Sequence, residues 1–353
     1  MGCSPLLTRS AAWAIGGEPT SGESVEYGIV LAMHVLVLAL QGTFDLGLSA
    51  LLDTLGTANE LATAMDAPTA AINVTVVGVR RRVHTAQGFR VPLVATAIAR
   101  HPDAVLLPAL GEKMPSTLAE RLTHRDVEDA GGVLREWSQG GAWIGAACTG
   151  TFVLADSTLL DGHDATTSWW LAPLFRQRYS NIELDESRML VTSGAFVTAG
   201  AALAHIDLAL GLIRRQSPAL AALTANYLLI ESRVSQASFI IPDHLAHSDP
   251  LVERFERWAR RRLAQGFSLS DAARSAGTSE RTLARRLRTV LGKSPLSYFQ
   301  DLRVERAVHL LQTSNTSVDR IASEIGYSDG VTLRTLLRRK LGRGVREIRS
   351  RHR

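Results

Sequence analysis

One supersecondary unit occurs twice near the C-terminus of this chain, and the duplication constrains its fold more than any other feature. The first copy runs Ser268-Leu269-Ser270-Asp271-Ala272-Ala273 to Gly277, then Ser279-Glu280-Arg281-Thr282-Leu283-Ala284-Arg285-Arg286-Leu287. The second runs Ser317-Val318-Asp319-Arg320-Ile321-Ala322 to Gly326, then Ser328-Asp329-Gly330-Val331-Thr332-Leu333-Arg334-Thr335-Leu336-Leu337. Ala273 matches Ala322 and Gly277 matches Gly326 at an offset of 49, whereas Leu283, Leu287 and Gly292 recur 50 residues later as Leu333, Leu337 and Gly342. A short helix, a glycine turn and a second helix, repeated, read as two helix-turn-helix units.

Each unit needs a tight turn that presents its second helix to the major groove. Gly277 and Gly326 suit that turn, because a left-handed backbone is cheap only for glycine. Ser279 and Asp329 are the expected N-caps of the two recognition helices. Leu283 and Leu287, four apart, should face the core, which leaves Arg281 and Arg285 together on the outer face, where guanidinium groups can read guanine. Arg288 is better placed for phosphate. The second recognition helix offers Val331 for a thymine methyl, with Thr332, Arg334 and Arg338 beside it. The candidate DNA contacts are therefore Ser279, Arg281, Arg285, Arg288, Val331, Thr332, Arg334 and Arg338, with sequence discrimination concentrated in the first unit. Charge agrees: residues 251–353 hold 23 Lys and Arg against 10 Asp and Glu, while the rest of the chain holds 16 against 24. A basic module joined to an acidic one suggests a polyanion on one half only. Between the units, Ser294-Pro295 opens a long amphipathic helix reaching Leu311, with proline where a missing N–H costs nothing. A rigid helix of this kind is expected to hold the recognition helices about one duplex turn apart, roughly 34 Å.

These turns, with Gly292-Lys293-Ser294-Pro295 and Arg303-Val304-Glu305-Arg306-Ala307, resemble the AraC/XylS family of transcription regulators over about residues 251–349. The chain departs from that pattern at Gly342-Arg343-Gly344-Val345, where the family usually follows the glycine with Ser or Thr and Pro. The resemblance implies promoter DNA as partner, contact with RNA polymerase, a homodimer and, more often than not, activation.

Upstream, apolar strand-length runs alternate with helical spacing: Met33–Leu40, Leu46–Leu61, Ile72–Val79, Asp103–Leu107, Val127–Gln139, Ala142–Ala147, Gly150–Asp156 and Ala201–Arg214. Gly88–Val94 reads as hairpin material and Ile182–Val191 as edge strands. Buried strands alternating with helices predict an α/β domain with a mostly parallel, doubly wound, flavodoxin-like sheet, followed by an all-α domain carrying the two units. Ile144-Gly145-Ala146-Ala147-Cys148-Thr149-Gly150 places a cysteine between a buried strand and a helix start, where converging N–H groups and the helix dipole are expected to lower a thiol pKa. The arrangement is similar to a nucleophile elbow.

With Leu159-Leu160-Asp161-Gly162, Ala165-Thr166-Thr167-Ser168-Trp169, Thr198-Ala199-Gly200 and His205-Ile206-Asp207, this half resembles the ThiJ/PfpI branch of the class I glutamine amidotransferase-like fold over about residues 33–215. Enzymes of that superfamily pair the cysteine with a histidine that accepts its proton. Here Thr149 follows Cys148, and Thr167-Ser168-Trp169 lacks the histidine frequent in the regulators. His163 is the remaining nearby base, in an expected surface loop. Cys148 thus reads as a vestigial nucleophile. The expected use of the site is to bind a small effector, lined by Asp45, Cys148, Thr149, Ser168 and Trp169, with Asp45 equally suited to cap the following helix. Trp169-Trp170 could wall a cationic metabolite or simply pack.

The expected organisation is an extension or start of the first strand over 1–32, a sensor domain over 33–216, a connecting segment over 217–250 and the DNA-binding domain over 251–353. Residues 1–32 also fit an upstream start codon. Two cysteines exclude a disulfide framework and suit a reducing cytoplasm. No apolar run is long enough to span a bilayer. No metal-ligand cluster and no phosphate-cradling loop is present, so no metal or cofactor is expected. The competing readings are a cysteine-dependent hydrolase or glyoxalase-like enzyme, and a Cys148-based redox sensor, either tethered to DNA.

Overall fold

The structure is a computed structural model that describes residues 32–64, 71–231, 235–236 and 249–350. Residues 1–31 and most of the connection expected around Ile241 to Asp249 lie outside the described residues.

The N-terminal half contains β1 (Met33–Leu38), α1 (Asp45–Ala64), β2 (Ile72–Gly78), β3 (Val83–His84), β4 (Arg90–Val91), β5 (Val94–Ala95) and β6 (Ala104–Leu107). It continues through α2 (Pro115–Arg121), α3 (Arg125–Gln139), β7 (Trp143–Ala147), α4 (Gly150–Asp156), β8 (Asp164–Ala165), α5 (Ala172–Arg178) and β9 (Glu183–Leu184). Then come β10 (Leu190–Ser193), β11 (Phe196–Ala199), α6 (Ala204–Gln216) and α7 (Pro218–Tyr227). The main sheet has the order β10-β11-β7-β6-β1-β2-β5, parallel except for the edge strand β10. This is the doubly wound sheet that the alternation predicts.

Strands β6 and β7 are apolar throughout, and β1 is from Val35 onward, because both faces are covered. Along β1, Leu36 and Leu38 enter one core with Leu118, Leu134, Phe152 and Phe175 of α2 to α5. The alternate residues Val35 and Val37 enter the other with Leu51, Leu208 and Leu220 of α1, α6 and α7. Strand order reverses between β1 and β6, and in open α/β sheets the crevice at such a point is where sites form. Thr43 bridges to both Thr85 and Leu110 there.

Two expectations change. Ile182–Val191 is not a pair of edge strands: β9 pairs with β8 in a separate small ladder, and only β10 joins the main sheet. The Asp185 carboxylate accepts from the Ser187 N–H at 3.0 Å and from its hydroxyl at 2.5 Å, and this turn interrupts the run. The hairpin at Gly88 pairs β3 with β4, whereas Val94–Ala95 returns as β5, parallel to β2.

The C-terminal half is helical: α8 (Pro250–Arg260), α9 (Leu269–Ser275), α10 (Glu280–Leu291), α11 (Pro295–Thr313), α12 (Val318–Glu324), α13 (Gly330–Leu341) and α14 (Val345–Ser350). Each helix-turn-helix unit has its own core, and α11 serves both. Tyr298, Phe299 and Leu302 pack with Phe255, Leu283 and Leu287 in the first unit. Val304, Ala307 and Leu311 pack with Ile321, Leu333 and Leu337 in the second. At 19 residues, α11 is about 28 Å long. Arg303 on this helix joins the units. It donates to the carbonyls of Leu263 (2.9 Å) and Gln265 (2.7 Å), and its guanidinium lies 4.8 Å from the Phe299 ring centre and 5.0 Å from that of Tyr327.

The departure at Gly342-Arg343-Gly344-Val345 is accommodated locally. Gly342 ends α13 in the left-handed conformation, and the Gly344 N–H donates to the Glu347 carboxylate at 2.7 Å. This is one half of a capping box, placing an acidic side chain at the start of α14.

Candidate nucleic-acid interface and the Cys148 site

Both turns follow the expected geometry: Gly277 has φ +68° and Gly326 φ +84°. Ser279 caps α10 by accepting the Thr282 N–H at 3.2 Å, and Asp329 caps α13 by accepting that of Thr332 at 2.8 Å. In α10, Leu283 and Leu287 are fully buried, which leaves Arg281, Arg285 and Arg288 exposed. In α13, Leu333 and Leu337 are buried while Thr332, Arg334 and Arg338 are exposed. Val331 is 67 % exposed, unusual for an apolar side chain and compatible with a methyl-reading role.

Not every basic side chain is available. Arg286 is held by Asp249 at 2.5 Å, and Lys340 by Asp301 at 2.9 Å. Gly330 proves necessary for the second unit: its N–H donates to Asp319 at 2.9 Å, and a Cβ there would lie 2.6 Å from the same carboxylate oxygen.

At the end of β7, Cys148 has φ +56°, a strained conformation for a non-glycine residue and the geometry of an elbow. Gly150 permits the close approach, since a Cβ would come within 2.8 Å of the Leu107 and Pro108 carbonyl oxygens. The Cys148 Sγ lies 2.8 Å from the Ser168 hydroxyl, and Thr167 donates to the Cys148 carbonyl at 2.7 Å. Thr149 turns to Leu110, accepting its N–H at 2.7 Å and donating to its carbonyl at 2.9 Å. Cys148, Thr149 and Ser168 are thus together, and all are buried.

The expectation of a lowered thiol pKa is overturned. Burial raises the Cys148 pKa above its ordinary value, and hydrogen bonds from Ser168 and Thr149 offset this only in part. The seven-residue helix α4 beyond it does not compensate for the loss of water.

Asp45 is the first residue of α1. One of its carboxylate oxygens accepts the Gln87 N–H at 3.1 Å, and the other is buried with no hydrogen-bond partner among the described residues. Trp169 packs against the core of the first helix-turn-helix unit and stacks edge-on against Trp170, their ring centres 5.7 Å apart. His163 bonds Ser193 at 3.0 Å and packs on Phe196.

Two residues carry structural roles that the sequence does not assign. Gln236 braces the Thr166–Ser168 segment, donating to the carbonyls of Thr167 at 2.9 Å and Arg188 at 3.1 Å. It lies in a stretch with no periodicity, so no signal marked it. His205 in α6 is fully buried; its Nε2 accepts the Ala109 N–H at 3.0 Å, and its Nδ1 donates to the Ala202 carbonyl at 2.5 Å. A Cβ on Gly47 would lie 2.5 Å from its ring, so helix α1 closes over it. The signal was a polar residue in an apolar helical stripe.

Burial lowers the His205 pKa to about 4. The unfolded chain therefore binds more protons than the folded one between pH 6.5 and about 4. The His205 contribution to stability should be full above pH 6.5 and be lost with acidification, by roughly 3 kcal/mol, as pH falls to about 4. Denaturant midpoints at pH 7 and 4.5 test this. His205→Gln should lose less stability than wild type over that interval; equal losses would contradict the assignment.

The DJ-1/PfpI family profile matches residues 33–215, and a helix-turn-helix domain profile matches residues 272–351. The chain is similar to the HTH-type transcriptional regulator ArgR of Pseudomonas aeruginosa, 26 % identical over 231 residues that cover 62 % of this chain and 68 % of that protein. It is also similar to the regulator GbdR of the same species, 26 % identical with 55 % and 54 % covered. The regulator GlxA of Rhizobium meliloti is 30 % identical, with 55 % and 61 % covered. The chain thus spans about half to two thirds of the length of these three relatives.

Proposed function

Because the chain belongs to the DJ-1/PfpI family and carries a C-terminal helix-turn-helix domain, we propose that it is a sequence-specific transcription regulator of AraC type. The observation that carries this reading is the pair of recognition helices whose apolar faces are buried and whose arginines face solvent. Arg281 and Arg285 read base edges; Ser279 and Arg288 hold the flanking backbone; Val331, Thr332, Arg334 and Arg338 serve the second groove segment. The proposed domains keep the bounds expected from sequence, 33–216, 217–250 and 251–353, except that α7 packs Leu220 and Ala221 into the sensor core and so extends that domain to about Tyr227.

In this reading the N-terminal domain binds a small effector lined by Asp45, Cys148, Thr149, Ser168 and Trp169 and shifts the population of DNA-competent states. A cytoplasmic homodimer that engages RNA polymerase and activates completes the proposal. Two subunits would double the bound half-sites and raise avidity. A regulator without hydrolytic chemistry is favoured by the state of Cys148: its thiol is buried and its pKa raised, whereas a nucleophile requires the thiolate.

Enrichment of genomic DNA fragments by the purified chain tests the proposal. A recurring motif that disappears with Arg281→Ala and Arg285→Ala is the expected result. Binding should weaken steeply with salt, and Arg288→Ala should reduce the slope of log K against log salt by about 0.9. Uniform enrichment, unchanged by either base-reading substitution, would refute sequence-specific recognition.

A further inference from the structure

One short stretch of the N-terminal half touches both the Cys148 site and the first recognition helix. Ser168 shares a hydrogen bond with the Cys148 Sγ. The next residue, Trp169, packs against the core that contains Leu283, Leu287 and Val290. Trp170 ties the turn down by donating to the Lys113 carbonyl at 3.0 Å. Helix α5 then lies along α10, and its Arg176 covers the C-terminal end of that helix. A Cβ on Gly292, the residue ending α10, would sit 2.6 Å from the Arg176 guanidinium carbon. A cation over the carbonyl end of a helix is favourably placed.

From Arg176 a run of alternating charges continues into the DNA-binding half. Arg176 pairs with Glu186, which lies 3.8 Å from Lys293; Lys293 pairs with Asp301 at 3.0 Å, and Asp301 with Lys340 of α13 at 2.9 Å. Glu186 is almost wholly buried, its side chain 4 % exposed. A charge in that position is costly once its partners leave. The contact is therefore stable when made and costly when half-made, which favours two discrete arrangements. Beside the run lies a cleft of about 720 Å³, lined by Arg176, Glu186 and Arg188 on one side and Lys293, Asp301 and Lys340 on the other. It leaves room for the two sides to shift against each other.

The geometry points to residues 168–178 as a transmission element, with one end on Cys148 and the other fastening the first recognition helix. A change in occupancy or packing at Cys148 displaces Ser168 and, through Trp169 and Arg176, alters how firmly the end of α10 is held. The two states that such coupling requires are the docked contact and its release. The inference rests on the N-terminal domain being the regulatory half and deepens that reading by naming its output.

Amide hydrogen exchange of residues 286–293 in the full chain tests it, without effector or DNA. Cys148→Ala removes the partner of Ser168, and Cys148→Ser keeps a polar one; each is measured alone and combined with Trp169→Ala/Arg176→Ala. Cys148→Ala should speed exchange across 286–293 about threefold or more, the lower range for coupled contacts. Cys148→Ser should have a smaller effect, and neither should add anything once Trp169 and Arg176 are gone. Unchanged exchange in both Cys148 variants, or equal increases in both backgrounds, would overturn the coupling. The amides of α6 report whether the N-terminal fold is kept. If Cys148→Ala loosens α6, the outcome is decided by Cys148→Ser across the same two backgrounds. Failure of DNA recognition leaves this result unaffected, so the two readings fail separately.

Discussion

Gly326→Ala should destabilise the second helix-turn-helix unit far more than Gly277→Ala destabilises the first, although the two glycines occupy equivalent turns. Both have positive φ, so alanine at either site incurs a left-handed penalty of about 1–2 kcal/mol. Around Gly277 no described residue lies within 4 Å of the added Cβ, and that penalty is the whole expected cost. At Gly326 the Cβ would meet the Arg303 guanidinium and lie 2.6 Å from the Leu263 carbonyl oxygen, which is backbone. Relief requires Arg303 to leave its two carbonyl acceptors and its place between Phe299 and Tyr327. A loss of about 4 kcal/mol or more follows, in the range reserved for disrupted cores and networks. Urea denaturation of the two variants measures the difference; equal losses would show that the Arg303 bridge contributes little.

The second large effect lies in the N-terminal half. Arg121 and Asp126 form a two-pronged ion pair at 2.9 and 2.6 Å, with side chains only 6 % and 9 % exposed. Arg121 also donates twice to the Gln41 carbonyl, at 2.7 and 3.2 Å, fixing the loop that leads from β1 to Asp45. Arg121→Ala strands the Asp126 carboxylate in the interior and should cost about 3–5 kcal/mol at neutral pH. Arg121→Ala/Asp126→Ala should recover part of that loss, because no buried charge remains unpaired. A double variant as unstable as Arg121→Ala would place the energy in the Gln41 contacts instead.

Local rules made much of this molecule legible. A glycine turn, an N-cap three residues before a bonded N–H, and leucines four apart are all written within a dozen residues. The recognition helices and the exposure of Arg281 and Arg285 follow from them. Strands β6 and β7, and β1 from Val35, are legible because burial on both faces leaves an unbroken apolar run. The edge was not: Asp185 and Ser187 turn the chain within a stretch whose composition reads as strand.

The residues that join distant parts were also hidden. Arg303 meets Leu263 across 40 residues, Gln236 meets Thr167 across 69, and His205 meets Ala109 across 96. No periodicity encodes such partners. The electrostatics of Cys148 are hidden from the sequence for a related reason. Its position after a strand and before a helix is a local fact, whereas its burial is set by the segment carrying Ser168 and the loop after β6.

In the proposed function α10 and α13 read DNA sequence. Its most direct test is the affinity of the full chain for its enriched fragment, relative to a scrambled duplex, at fixed salt. Wild type should favour the fragment by about a thousandfold or more. Arg285→Ala should cut that preference by about tenfold to a hundredfold, with little change on the scrambled duplex. A preference near one for wild type, or one that Arg285→Ala leaves intact, would show that these helices do not read sequence.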